Sequence, residues 1–288
     1  MAISVYSFAN AKHNHNYRDI GQSYPIITCL FLSTLYVLGL YLWPNKYLRD
    51  DPVVIKYRFF SVLLTCLISP IFICWHISNK SDILIHLGIR KSGLIAAIFI
   101  PLFTLFLLFL GPIYLWFLEN KEKEYHKYYS KISIYGLRNY IIAPLTEEYI
   151  FRSCIVSILL TYHTHSKTIF IASFIFGLAH FHHIFENINK GISLNRALII
   201  SCFQFIYTTI FGAYSTFVFI ITDHLMSCFV IHAFCNILGF PDLNRIYYYH
   251  DLKQRKILKY LLVLGFLGWL FATKTLLKPQ FFQNERIY

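Results

Sequence analysis

Eight apolar runs dominate this chain, at 24–43, 59–77, 93–118, 139–162, 168–186, 197–222, 224–241 and 257–277. A bilayer's hydrocarbon core, about 30 Å thick, is crossed by about 20 helical residues, so each run spans or nearly spans it. Lipid offers the backbone no hydrogen-bond partners, and segments of this length satisfy their own only as helices. The fold predicted is therefore all-α and polytopic: about eight transmembrane helices in one integral-membrane domain over 1–288, enclosing a polar cavity open toward the cytosol. Composition agrees, with 57% hydrophobic and only 14% charged residues, against about 25% charged in soluble domains, and a mean hydropathy of +0.52.

Details of the runs refine this picture. Pro101 and Pro112 predict a kink or break in the third, and the sixth and seventh, separated only by Asp223, form a tight hairpin or a re-entrant pair. A net charge of +12 would suggest nucleic acid in a soluble chain, but here Lys and Arg occupy short connectors and read as topology signals, so no nucleic-acid partner is expected. The connectors near 43–58, 119–138, 187–196 and 242–256 carry 15 of them, against 8 in the other connectors and termini. The positive-inside rule places the first set in the cytosol and both termini opposite. The 119–138 connector is expected on the membrane surface. Seven cysteines (Cys29, Cys66, Cys74, Cys154, Cys202, Cys228, Cys235) lie in apolar stretches without a Cys-x-x-Cys pair, and read as small buried hydrophobes. The polar first 23 residues argue against a cleavable signal peptide, and the closing Asn-Glu-Arg-Ile-Tyr against a prenyl anchor on this chain itself.

The fourth run breaks the apolar pattern with Thr146-Glu147-Glu148-Tyr149-Ile150-Phe151-Arg152. Each ionisable side chain near a bilayer's centre costs roughly 2.5–3.5 kcal/mol, so three in one span need compensation. Glu148 and Arg152, at i and i+4, share a face and can neutralise each other, which leaves Glu147 without a partner from its own span. The fifth run ends in Phe176-Gly177-Leu178-Ala179-His180-Phe181-His182-His183, and the seventh carries His232-Ala233-Phe234-Cys235-Asn236 and then Gly239-Phe240-Pro241. Counted along their helices, Glu147, His180 and His232 lie roughly 9–14 Å below the same surface. Three spans of alternating direction thus bring polar groups to one depth, which is tolerated where they face one another or a cavity. Gly177 allows a neighbouring backbone close to the His180 turn.

A carboxylate, two imidazoles and an amide at one depth suit hydrolysis of an amide. The carboxylate activates a water and the donors stabilise the oxyanion. His182 and His183 are as readily structural hydrogen-bonders.

Glu147-Glu148-x-x-x-Arg152, Phe176-x-x-x-His180 and His232-x-x-x-Asn236 resemble the three motifs of the CAAX-protease and bacteriocin-processing family of intramembrane glutamate proteases. The resemblance covers roughly 139–245, the catalytic core, and the first 130 residues match only in being hydrophobic. It implies a multi-pass enzyme of the endoplasmic reticulum that needs no metal or other cofactor. Its substrates would be farnesylated or geranylgeranylated CAAX proteins such as small GTPases, from which it removes the last three residues. By position, Glu147 and His180 would be catalytic, His232 and Asn236 would stabilise the transition state, and Glu148, Arg152 and His183 would support the site. Two other readings use the same groups: a zinc hydrolase built on Glu147 with His180, His183 or His232, although no His-Glu-x-x-His helix is present, and a proton-coupled transporter. A scaffold without activity is a third.

Overall fold

The computed structural model describes residues 23–43, 49–77, 82–120 and 133–286, which are helix and turn without a strand. The polar N-terminal stretch and most of the 119–138 connector lie outside them. Helix α1 (Tyr24–Gly39) is followed by α2 (Pro52–Ile68) and α3 (Pro70–His76), stacked end to end through the buried Ser69. Asp51 starts α2 by accepting the Val53 N–H at 2.7 Å, with Pro52 supplying the fixed φ of a first helical residue. A short α4 (Ile83–His86) leads into α5 (Leu94–Leu108) and α6 (Leu110–Asn120), bent by 70° from one another, as the prolines predict.

A continuous helix over 134–162 comes next. It starts as α7 (Ile134–Leu137), widens to a π-helical turn (Arg138–Ile142), narrows to α8 (Ala143–Glu148), widens again (Tyr149–Val156) and closes as α9 (Ser157–Tyr162). Helix α10 (His165–Ala179) runs through a tight turn at His180–His182 into α11 (His183–Asn189). The long α12 (Leu194–Thr222) and α13 (Leu225–Leu238) form the hairpin expected at Asp223, which adopts a left-handed φ of 55° and donates its N–H to Phe219 O at 2.7 Å. The short α14 (Leu243–Tyr247) and the long α15 (Leu252–Leu276) complete the set.

Among these, 52–76, 165–189, 194–222 and 252–276 are long and apolar enough to cross a membrane, and the bent α5–α6 pair makes a fifth if taken as one span. α1 and α13 are shorter apolar helices. The outer surface is lipid-like: Leu67, Ile95, Ile199 and Phe271 are 70% or more exposed, which a water-facing surface would not sustain at this density. The interior holds the polar residues. Two apolar clusters flank them, one built from α1, 150–159 and α10, the other from α5, α12 and α13. All seven cysteines are free, but Cys202 is exposed on α12 and Cys66, Cys74 and Cys235 are half-buried, so burial holds only for Cys29, Cys154 and Cys228. An apolar run does not say which of its faces meets lipid.

Candidate active site

The site forms where α8, the end of α10, α12 and α13 converge. Glu148, fully buried, is its hub. It accepts Ser215 Oγ–H at 2.9 Å and His232 Nδ1 at 2.6 Å, and pairs with Arg152 Nε at 3.1 Å. The expected Glu148–Arg152 pair is thus present. The Arg152 nitrogens find no hydrogen-bond partner among the described residues; instead the guanidinium lies over the Phe176 ring at 4.1 Å and near that of Phe211 at 5.8 Å. An arginine among aromatic faces is stabilised by their quadrupoles, more so where water is excluded.

Glu147 turns the other way. The nearer atom across the gap is His232 Nε2, 3.8 Å from Glu147 Oε2 and beyond hydrogen-bonding distance. One imidazole therefore stands between two carboxylates, gripped by Glu148 and presented to Glu147. His180 donates from Nδ1 to Phe176 O at 2.7 Å, which in the neutral ring leaves Nε2 as an acceptor. The Phe176 ring packs edge-on to His180 and His232, with centroids at 4.7 and 6.3 Å, so one residue touches both imidazoles and Arg152.

A cavity of about 120 Å³ opens beside this centre, lined among others by Glu147, His180, His182 and His183 and by Arg49, Arg58, Arg138 and Glu186. His232 and Asn236 do not line it: His232 backs Glu147, and Asn236, exposed, donates its side-chain N–H to Asn139 O at 2.9 Å. Arg49, Arg58 and Arg138 fall within the stretches 43–58 and 119–138, two of the set richest in Lys and Arg. Asp50 accepts from Arg138 at 2.9 Å, and that hydrogen bond holds its carboxyl below the ordinary carboxylate range. His183 contacts Glu186 at 2.8 Å, and His182 donates to Ala179 O at 2.6 Å.

Several participants carry no signature in the sequence. Ser215 and Phe211 lie on α12, whose run holds no motif, and Glu186 reads as the polar end of α11. Gly177 does admit a close neighbour, but it is the Thr209 and Phe205 side chains of α12, with the Phe205 ring 3.0 Å from where a Cβ would stand, rather than backbone. Among the described residues, His182, His183 and Glu186 bring ligand atoms within 4.8 Å of one another, while Glu147, His180 and His232 do not form such a group. Glu186 already serves two arginines, which leaves that trio poorly suited to a further cation.

Fold and site together define an all-helical membrane protein with a glutamate–histidine centre buried among its spans. A family described as type II CAAX prenyl endopeptidase, Rce1-like, matches residues 130–238, the segment from the long helix to the end of α13. CAAX prenyl protease 2 of Homo sapiens is 36% identical over 232 residues, covering 75% of this chain and 70% of that protein. The Saccharomyces cerevisiae protein of that name is 33% identical over 271 residues, 80% and 84% of the two chains, and a probable one from Schizosaccharomyces pombe is 34% identical over 245, 76% and 85%. No solved structure matches. The chain belongs to the CAAX prenyl protease 2 family and is a peptide hydrolase.

Proposed function

We propose that the protein is a CAAX prenyl endopeptidase that removes the last three residues from farnesylated or geranylgeranylated CAAX proteins, small GTPases among them, using a water activated by Glu147 and His180. The observation that carries this reading is the opposed arrangement around His232: Nδ1 at 2.6 Å from the buried Glu148, Nε2 at 3.8 Å from a Glu147 that lines the cavity. An anchored carboxylate–imidazole pair beside a second carboxylate facing a cavity has the parts for acid–base hydrolysis.

In this scheme a water in the cavity gives a proton to the Glu147 carboxylate while its second O–H is held by His180 Nε2. The water oxygen bonds to the scissile carbonyl carbon. The oxyanion accepts from His232 Nε2–H and from the Asn236 side-chain N–H, which calls for Asn236 to leave Asn139 O as substrate enters. The role asks His232 for a proton on each ring nitrogen, one for Glu148 and one for the oxyanion. On collapse the oxyanion re-forms the carbonyl, the C–N bond breaks and the departing amine takes the proton from Glu147. The remaining O–H passes its proton through His180 Nε2 to the amine, so the tripeptide leaves as an ammonium and a carboxylate stays on the prenylated cysteine. Glu148 and Arg152 support the site by holding His232, and His183 by holding Glu186.

The eight apolar runs coincide with helical segments, which supports eight crossings, and the basic connectors around the cavity support an opening to the cytosol. A prenylated tail would then enter with its lipid in the bilayer and its peptide in the cavity. The endoplasmic reticulum membrane is the proposed location, in keeping with the family resemblance. The test is detergent-purified protein incubated with a synthetic farnesylated CAAX peptide, with and without chelator, reading tripeptide release by mass spectrometry. Release in both arms supports the reading; loss on chelation favours the zinc hydrolase, and no release under either condition overturns the proposal.

A further inference from the structure

Among the residues that line the cavity together with Glu147, two arginines share one carboxylate. Arg49 Nη1 reaches Glu186 Oε2 at 2.8 Å and Arg58 Nη1 reaches Glu186 Oε1 at 3.1 Å. The third guanidinium of the lining, Arg138, is taken up by Asp50. One carboxylate balances one of two cations, so the Arg49–Arg58 side holds a net positive unit. Arg58, with its side chain only 14% exposed, also keeps its Nε–H buried with no hydrogen-bond partner among the described residues. A charged donor is seldom left in that condition without a ligand to take it up.

The proposed substrate ends three residues beyond the scissile bond, in a free α-carboxylate. Entering a cavity strips that group of water, and it then needs a countercharge. Three extended residues reach about 10–11 Å, the scale over which a cation on one wall could fix the distance to a water on the other. Resting on the endopeptidase reading, we infer that Arg58 with Arg49 forms a carboxylate subsite that binds the free C-terminus of the substrate and so sets the cut three residues from the chain end.

The experiment compares two farnesylated peptides of identical sequence, one ending in a free acid and one in a carboxamide, with the purified full chain. The wild-type kcat/KM for the acid should exceed that for the amide by about 10- to 150-fold, the worth of a hydrogen bond to a charged group. In Arg58→Gln the acid-to-amide ratio should fall to within a few-fold, and Arg58→Lys should restore part of it. Equal rates on both peptides in the wild type overturn the subsite while leaving the endopeptidase intact, and this comparison needs no variant to fold. An Arg58→Gln enzyme that keeps the full ratio also overturns it. Cleavage of neither peptide would instead overturn the endopeptidase reading on which the subsite rests.

Discussion

Glu148 holds His232 by Nδ1 at 2.6 Å, and the far edge of the same ring is thereby turned to Glu147 at 3.8 Å. Two adjacent glutamates, one helical step apart, thus point to opposite sides of one imidazole. The inner one has no exposure and three partners, and the outer one lines a cavity. Adjacent residues on a helix are about 100° apart, which is what lets them divide the work of anchoring and chemistry.

Glu148→Ala should both destabilise the protein and disable it. It leaves the Arg152 guanidinium buried without its carboxylate, a loss of about 3–5 kcal/mol. Adding Arg152→Leu removes the stranded charge, so the double variant should regain much of the thermal stability in detergent. Turnover should stay low in that double variant, because His232 has still lost its anchor. Recovery of turnover alongside stability would reduce Glu148 to a brace for Arg152.

Gly177→Ala should separate α10 from α12. Its new Cβ meets the Thr209 hydroxyl and the Phe205 ring, and overpacking of this kind costs about 1–3 kcal/mol. His180 lies three residues on, so kcat should fall with stability. Thr209→Ala in the same chain frees the space, and partial rescue of both melting temperature and kcat is expected.

Asn236→Ala should reduce kcat by about 100- to 1000-fold, the loss of one oxyanion donor, with little change in melting temperature because the side chain is exposed. A rate within a few-fold of wild type would leave Asn236 as a peg between α13 and Asn139.

The Asp50–Arg138 link gives a pH dependence of known sign. The Asp50 pKa is depressed in the folded protein by its bond to Arg138, so its stabilisation is present above the unfolded value and is lost as pH falls through the folded one. At neutral pH Asp50→Asn should cost no more than about 1 kcal/mol, given a side chain 55% exposed. That difference from wild type should vanish in melts below the ordinary carboxylate range.

Much of this was legible in the sequence because lipid imposes harsh rules. Uncharged length located the helices, the lone Asp223 located the α12–α13 turn, and ionisable residues where none is cheap located the centre. Equal depth along alternating spans marks Glu147 and His232 as neighbours, and they stand 3.8 Å apart. The rest was hidden for physical reasons. Ser215 and Phe211 are ordinary residues of an apolar helix, and only packing reveals that one donates to Glu148 and the other neighbours Arg152. The two π-helical turns on either side of α8 leave no trace in hydrophobic periodicity, although such turns gather at functional sites. Arg49 and Arg58 read as topology signals in a basic connector, and their convergence on Glu186 depends on α11, more than 120 residues away.

The most direct measurement is tripeptide release from a farnesylated CAAX peptide by Glu147→Gln, alongside its melting temperature in detergent. Glu147 meets its neighbour only at 3.8 Å, so the amide should leave the fold intact while hydrolysis falls below detection. A folded Glu147→Gln protein that cleaves at the wild-type rate would contradict the account.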